Sequence, residues 1–428
     1  MENEINELAQ SLEAELNPEV MDDDELQGIL GKEIDDAIDY SDNWVSPIRA
    51  SATEYYQGKP FGNEEDGRSQ VVSMDVRDTV QGILPSLMRI FNSTERTVEY
   101  APQGPEDVEA AKQATEYANF IINRDNNGFV ELHAAFKDAL IRKVGVLKCY
   151  WDDRTKYETH DLSGLDDNAL NALMSDPAAD VEIVASEPMG DPIMDQNTGE
   201  ILPSPMMHAV RVTYTHPDGR VKLEAVPCEE FLISREAKSI EQSDYVAHRR
   251  IVTVSELVSM GYDFDEVSSL ASAHDDMNTN VERTTRNPAL ANEMNERDDD
   301  AMKKVLYVEN YIKVDYDMDG IAELRKICTA GDGNKILANE PCGMAPFASF
   351  CPDPEAHDFY GMSIADAVAD VQRIKSNIMR NTLDSLAMSI HPRVAVTEGM
   401  VNLDDVLSTE VGAIIRQRSA GQFQPLSM

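Results

Sequence analysis

The apolar positions of the first third of the chain recur at helical spacing. Leu26, Leu30, Ile34 and Ile38 are four residues apart, which predicts an amphipathic helix following a solvated, flexible acidic tail, residues 1–32. Further helices are predicted over residues 44–56, 72–91, 105–126 and 130–144, each ended by Gly, Pro or Asn. Residues 33–145 are therefore predicted to be mainly helical, with Pro85 bending or splitting the second of these helices.

Alternating apolar and polar positions dominate the middle of the chain and predict a mixed sheet over residues 146–350. The predicted strands are 146–151, 208–215, 221–226, 245–252, 305–316 and 321–329, the last two forming a hairpin around 317–320. Two polar insertions interrupt this pattern. Residues 161–205 are rich in Asp, Asn, Pro, Ser and Gly, so an insertion or a long hairpin outside the core is expected there. Residues 274–300 hold almost no large apolar side chain and are expected to be mobile.

One long helix is predicted over residues 364–390. It opens with Ser363 and Asp366, which have the spacing of a capping box, and Pro392 closes it. A helix of this length is about 40 Å long, and its apolar residues lie on more than one side. Short strands are expected at 393–396 and 412–418. The chain then ends in a segment bearing Gly and Pro, and we expect more protein to follow.

The composition and net charge limit the classes of function that the protein can have. The chain has 428 residues, enough for about three compact units. Its 37 Lys and Arg against 79 Asp and Glu give a net charge of −42, which excludes a basic nucleic-acid-binding surface and disfavours contact with anionic membranes. Neither a signal peptide nor an apolar run of membrane-spanning length is present, so we expect a cytosolic origin. The five scattered cysteines indicate reduced thiols.

An acidic turn is the only metal-site candidate with a recognisable pattern. Asp315, Asp317, Asp319 and Gly320 match the opening of a calcium-binding EF-hand loop. The twelfth position of such a loop needs a bidentate Glu, whereas this chain has Lys326 there. A simple Asp-Gly hairpin turn is the favoured interpretation, and no metal or cofactor is predicted.

Cysteine and histidine residues give a weaker candidate for a zinc site. Cys342, Cys351 and His357, with Cys328, lack the paired spacing of structural zinc sites, so buried thiols are the favoured interpretation. His133 lies on a helix face and is expected to be a packed residue rather than a base. No catalytic motif accompanies these residues, and the sequence does not predict an enzyme.

Two further patterns favour structural interpretations. Residues 28–32 resemble a phosphate-binding loop but lack its glycine spacing, a hydroxyl after Lys32 and a preceding strand. The aromatic cluster Trp44, Tyr55, Tyr56 and Phe61 has few cations nearby, so it is expected to pack a helix rather than to stack bases.

Several segments in a fixed order carry a resemblance to a known family. They are Asp39–Ser41, Tyr55–Gly58, Ser69–Val76 and Phe359–Asp366, the last leading into Gln372, Arg380 and Asn381. From about residue 30 to its end, the chain resembles podovirus-type bacteriophage portal proteins. The resemblance implies an α+β, portal-like subunit, with the second stem helix, channel helix and crown of the family missing from this chain.

The resemblance also implies a function and a division into domains. Such proteins form a dodecameric ring at one capsid vertex, through which DNA is packaged by a terminase and later ejected. Residues 33–350 would form the wing, 351–390 the stem helix, and 391–428 a truncated clip. The clip, with Arg416 and Arg418 as candidate contacts, would bind terminase and head-tail adaptors, and major capsid or scaffolding protein would be a further partner. The protein would assemble in the host cytoplasm and reside in the virion.

Charge fits this role, because a strongly acidic wall repels DNA phosphates at short range and lets DNA slide without binding. Arg373, Lys375 and Arg380 are candidates for the channel wall or, preferably, for ion pairs between acidic subunits. Two alternatives remain open: a metal-dependent enzyme using the Asp315–Asp319 turn, and a generic acidic interaction protein, which would be a monomer.

Overall fold

The secondary structure is α+β, as the sequence predicts. A computed structural model of the chain describes residues 20–92, 96–153, 155–176, 179–188, 193–194, 201–202, 206–270, 280–289, 299–331, 333–390, 394–396, 399–407, 414–419 and 423–425. The α-helices are α1 (Asp23–Asp39), α2 (Ser46–Gln57), α3 (Asp75–Asn92), α4 (Val108–Phe120), α5 (Gly128–Arg142), α6 (Asp167–Met174), α7 (Val254–Ser259), α8 (Phe264–Ser268), α9 (Val281–Arg286), α10 (Ile364–Ile390) and α11 (Leu403–Leu407). Tyr40–Val45 and Ile121–Asp125 are π-helical turns that continue α1 and α4. Among the described residues, no helix is long and apolar enough to cross a membrane.

The strands form antiparallel sheets throughout the described part of the chain. They are β1 (Gly145–Asp152), β2 (Thr155–Leu165), β3 (Ala179–Pro188), β4 (Ile193–Met194), β5 (Ile201–Leu202), β6 (Met206–Pro217), β7 (Arg220–Val226), β8 (Phe231–Ile233), β9 (Tyr245–Thr253), β10 (Lys304–Val314), β11 (Glu323–Ala330), β12 (Lys335–Pro341), β13 (Phe347–Phe350), β14 (Val394–Val396) and β15 (Phe423–Pro425). The strand orders are β12-β11-β10-β9-β8, β13-β1-β7 and β2-β6-β3, and two further pairs are β4-β5 and β14-β15.

The five-stranded sheet is covered on both faces. Along β10, alternate side chains point to opposite faces, so Val308 and Ile312 pack against α1 while Val305 packs against α7 and α8. Leu26 and Leu30 of α1 are 0% exposed in this core. The prediction of a flexible tail over residues 1–32 is therefore wrong from residue 23 onwards. Residues 23–32 belong to a helix whose apolar face is buried.

A second core joins four helices. α2, α3, α5 and α10 pack together around buried apolar residues that include Val76, Val80, Phe136, Leu140 and Ala365. Pro85 lies inside α3, which continues through it rather than splitting. The predicted helices of this region and the predicted long helix at 364–390 are confirmed.

The described part of the first polar insertion lies in a long hairpin, as the sequence predicts. β2, β6 and β3 form a sheet that carries α6 on one face, and we call residues 155–217 the arm. Leu170 of α6 packs on Val210 and Val212 of β6, which gives the arm a core of its own. The sequence did not predict this separate core, because a small core needs few apolar residues. The arm enters from β1 and returns into β7 beside it, since Asp152 and Arg220 face each other across these strands.

The second polar insertion also contributes to the fold. Its residues 280–286 contain α9, and Glu282 within it is 0% exposed. Residues 280–286 thus pack into the fold, although the sequence predicts a mobile stretch over 274–300. Residues 274–279 and 290–298 lie outside the described residues.

The C-terminal predictions are met in part. The strand predicted at 393–396 is present as β14, which pairs with β15. Residues 414–418 of the strand predicted at 412–418 show one isolated bridge, between Gln417 and Val401, and Pro392 lies outside the described residues.

Candidate functional site

The long helix α10 begins with a reciprocal cap. The backbone N–H of Ser363 donates to Asp366 Oδ2 at 3.0 Å, and the backbone N–H of Asp366 donates to Ser363 Oγ at 3.0 Å. This capping box satisfies N–H groups that a helix leaves free at its start. Lys143 Nζ ties the same end of the helix to α5, 3.3 Å from Gly361 O and 3.1 Å from Asp366 Oδ2.

One face of α10 is bound to the segment 69–76, which consists of residues 69–74 and the first turn of α3, by polar side chains spaced four residues apart. The contacts join Gln372 Oε1 to Val76 N at 2.9 Å, Ser376 Oγ to Ser73 N at 2.9 Å, Arg380 Nε to Val71 O at 2.9 Å, and Asp384 Oδ1 to Ser69 N at 2.7 Å. Four helical residues rise about 6.0 Å and two extended residues about 6.6 Å, so the periods match over the steps from Ser73 to Val71 and from Val71 to Ser69. The step from Val76 to Ser73 spans three residues, because Val76 lies in the first turn of α3. We call this set of contacts the polar ladder.

The opposite face of α10 is apolar and uncovered. Val371, Ile374 and Ile378 are 57%, 61% and 61% exposed, and they follow one another at helical spacing. Nearer the end of the helix, Leu386 and Ile390 are also exposed. We call Val371, Ile374 and Ile378 the apolar stripe. Contiguous exposed apolar surface of this kind marks a contact surface in soluble proteins.

The three predicted basic residues of α10 have different surroundings. Arg373 is exposed, and its side chain makes no hydrogen bond or ion pair with the described residues. Lys375 Nζ lies 2.5 Å from Asp75 Oδ1, and this ammonium holds the pKa of Asp75 below its usual value. Arg380 is buried, with its guanidinium 2.6 Å from Glu64 Oε1. A role between subunits or on the channel wall stays a prediction for all three.

Arg416 and Arg418, the predicted contact residues of the clip, lie near each other in the C-terminal part of the chain. Arg416 donates from Nε and Nη2 to the carboxylate of Asp405, at 2.7 and 2.8 Å. This contact lowers the pKa of Asp405 to about 2. The backbone N–H of Arg418 donates to Met400 O at 3.0 Å, and its side chain is exposed. Docking of a partner at Arg416 and Arg418 stays a prediction.

The acidic turn is a hairpin connection between β10 and β11. Asp315 Oδ2 accepts from the N–H of Gly320 at 2.9 Å, and Asp319 Oδ1 accepts from the N–H of Ile321 at 2.7 Å. Single ligand atoms of Asp315, Asp317 and Glu323 lie within 4.8 Å of one another, so Glu323 replaces Asp319 in the candidate cluster. The carboxylates shape the turn, which is the favoured interpretation from the sequence.

The candidate zinc residues do not converge. Within the described part of the chain, no group of three potential metal ligands contains a cysteine or His357. Cys328 is buried in the sheet, and burial raises the pKa of its thiol. His133 is stacked on Phe129, with ring centroids 6.3 Å apart, as expected for a packed residue.

The aromatic cluster separates into packed rings and one exposed ring. Tyr55 and Phe61 pack together, with ring centroids 5.5 Å apart, and Arg380 lies over Phe61. Trp44 is exposed and carries Arg235 over its ring at 5.3 Å. The packing interpretation is thus confirmed for the rings beside α10. Residues 28–32 lie inside α1, which excludes a phosphate loop there.

Sequence reasoning missed the function of the polar residues in the ladder. Ser376 and Asp384 belong to no motif, and Gln372 stands out only within the family resemblance. The available signal was a row of polar residues at i, i+4, i+8 and i+12 along the helix, which indicates a polar partner on that face.

Comparison with known proteins assigns the family. The family model described as phage SU10 portal protein matches residues 26–428. No curated protein matches the chain. The matched region contains the five-stranded sheet, the helical core, the polar ladder and the apolar stripe, and it spans nearly all of the sequence. The chain therefore belongs to the phage SU10 portal protein family.

Proposed function

We propose that this chain is the subunit of a closed ring that forms a passive channel for DNA at one vertex of the phage capsid. The apolar stripe carries this proposal. A ring needs a surface on each subunit that is covered only after assembly, and the stripe lies on the face of α10 opposite the polar ladder. The subunit number, twelve, rests on the portal family alone.

Charge explains why the ring would use apolar and basic contacts on this helix. A chain with a net charge of −42 repels its own copies over most of its surface. Arg373 flanks the stripe and is exposed, so it would meet carboxylates of the next subunit and reduce this repulsion. The same acidity would let DNA pass along the channel without being held.

The proposal assigns a separate role to each part of the chain. Residues 33–350 would form the wing, 351–390 the stem, and 391–428 the clip. Arg416 and Arg418 would contribute to a surface for terminase and head-tail adaptors, while capsid or scaffolding protein would surround the wing. The ring would assemble in the host cytoplasm before DNA packaging.

Native mass spectrometry and negative-stain electron microscopy test the proposal. We expect rings with a central hole for the wild-type protein, and loss of rings for Ile374→Glu and Ile378→Glu. Ile321→Glu is the matched control, because Ile321 is similarly exposed but lies in the β10–β11 connection. A wild-type protein that stays monomeric at high concentration, as a generic acidic interaction protein would, contradicts the proposal, as do rings that survive both α10 substitutions.

A further inference from the structure

A buried ionic site lies beneath the segment 280–286, which we call the plug. Arg49 of α2 is 2% exposed and Arg142 of α5 is 7% exposed. Glu282 of the plug lies between them, with Oε2 3.6 Å from Arg49 Nη1 and Oε1 3.4 Å from Arg142 Nε. Ser46 Oγ donates to Glu282 Oε2 at 3.4 Å. Two buried guanidinium groups thus surround one buried carboxylate.

The plug is held almost entirely by polar contacts. Its residues Asn280, Glu282 and Thr285 are buried, whereas Val281, its one large apolar residue, is exposed. Asn280 Nδ2 donates to Asp42 Oδ1 at 2.9 Å, and Arg286 is paired with the buried carboxylate of Glu229. Hydrophobic burial therefore contributes little to docking of the plug, and recognition depends on matching charges and hydrogen bonds.

The two arginines remain charged whether or not the plug is docked. Burial opposes the charge of Arg49, but the neighbouring Glu282 holds the pKa of Arg49 above its usual value. An isolated buried guanidinium would carry a large desolvation penalty. Arg142 is also paired with Asp138 of its own helix, whereas Glu282 is the carboxylate paired with Arg49 among the described residues. Arg49 consequently needs an anionic occupant, and a carboxylate suits the planar N–H donors of arginine.

The site is also connected to the base of α10. Arg49 Nε donates to Arg142 O at 3.2 Å, and the Arg49 guanidinium lies 4.9 Å from the ring centroid of Tyr360. Tyr360 is buried and precedes Gly361, which accepts from Lys143 Nζ. The position of Arg49 thus bears directly on residues 359–363, from which α10 begins.

We propose that Arg49, Arg142 and Ser46 form a carboxylate-binding site, that the plug supplies its ligand from within the same chain, and that occupancy of this site fixes Tyr360 at the base of α10. This site is distinct from the apolar stripe and does not depend on ring formation. Through Arg49 and Tyr360, the second polar insertion thereby stabilises the base of α10.

Chemical rescue of Glu282→Ala in the full chain tests the proposal. We expect a loss of about 3–6 °C in Tm, because the substitution leaves the buried Arg49 without its paired carboxylate and leaves Arg142 with Asp138 alone. Sodium acetate should restore at least half of this loss, whereas sodium chloride at equal ionic strength should not. Glu236→Ala, at an exposed carboxylate, is the control and should show neither effect.

Hydrogen exchange provides the readout at the base of α10. In Glu282→Ala, amide exchange over residues 359–366 should accelerate about tenfold, and acetate should slow it again. Should the variant fail to stay soluble, refolding from urea in acetate and in chloride gives the same comparison through the yield of folded protein. Equal recovery in the two salts, or unchanged exchange at 359–366, overturns the proposal.

Discussion

The side chain of Gln372 accepts a hydrogen bond from the backbone N–H of Val76 at 2.9 Å and donates another to Tyr55 O at 3.0 Å. Gln372 is fully buried, so a single amide joins α10 to α2 and α3. The other ladder residues repeat this pattern with backbone groups of the 69–76 segment. The long helix is thereby fixed in rotation, and the apolar stripe is directed away from the core.

Removing the Gln372 amide should destabilise the subunit. Gln372→Ala leaves the Val76 N–H buried without its partner and removes one of the two hydrogen bonds accepted by Tyr55 O, so we expect a loss of about 1–3 kcal/mol in the free energy of unfolding. Urea denaturation measures this loss. Gln81→Ala, at an exposed position of α3, should change stability by less than about 0.5 kcal/mol. Equal effects of the two substitutions would refute the importance of the ladder.

Gly361 should be intolerant of any side chain. A Cβ atom at Gly361 would lie 2.1 Å from Asp353 O and 2.6 Å from Cys351 Sγ, so the base of α10 would have to shift. We expect Gly361→Ala to lower the free energy of unfolding by about 1–3 kcal/mol, measured by thermal or urea denaturation. Gly343→Ala is the control, because no atom lies within 4 Å of the Cβ position there. A near-neutral Gly361→Ala would show that this close approach is not required.

A buried ion pair between two sheets should make stability depend on pH. Lys148 Nζ of β1 lies 2.6 Å from Glu309 Oε2 of β10, and His248, Arg250 and Tyr311 surround the pair. Burial alone would raise the pKa of Glu309, but Lys148 beside it holds that pKa below its usual value of 4.5. The stabilising contribution is therefore present above about pH 4.5 and is lost as pH falls through the lowered pKa.

Glu309→Gln measures this contribution. At pH 7 we expect the substitution to lower the free energy of unfolding by about 3–5 kcal/mol, because it leaves Lys148 as a buried cation without its carboxylate. The stability difference between wild type and variant should shrink as the pH is lowered below about 4.5, since Glu309 is protonated first in the unfolded wild type and only at lower pH in the folded protein. A difference that stays constant over this range would contradict a lowered pKa for Glu309.

Arg373 offers a cleaner test of subunit contacts than Arg380. Arg380→Glu would break contacts with Glu64 inside the chain, whereas the Arg373 side chain is exposed. We expect Arg373→Glu to raise the protein concentration needed for half-assembly about threefold or more, with unchanged unfolding of the isolated subunit. Lys238→Glu makes the same change of charge at another exposed position, outside α10. Identical assembly of the two variants would favour a channel-wall position for Arg373.

Local patterns in the sequence predicted local structure well and distant contacts poorly. The helix at 364–390 and the β10–β11 hairpin follow from spacing, caps and turn residues within each segment. The burial of Glu282 could not be read from its surroundings, because its partner Arg49 lies 233 residues earlier and both residue types are usually exposed. The rotation of α10 was likewise undetermined, because apolar residues occur on both its packed and its exposed sides.

The arm leaves and rejoins the body at two residues that already face each other. Asp152 and Arg220 are opposite partners at the ends of β1 and β7, so a short turn between them would close the same hairpin that the arm now extends. Residues 155–217 are for this reason a replaceable insertion. We expect that they can be exchanged, shortened or replaced by a fluorescent or affinity domain without changing the register between β1 and β7. The arm offers a place to label this subunit while leaving the ladder, the stripe and the plug intact.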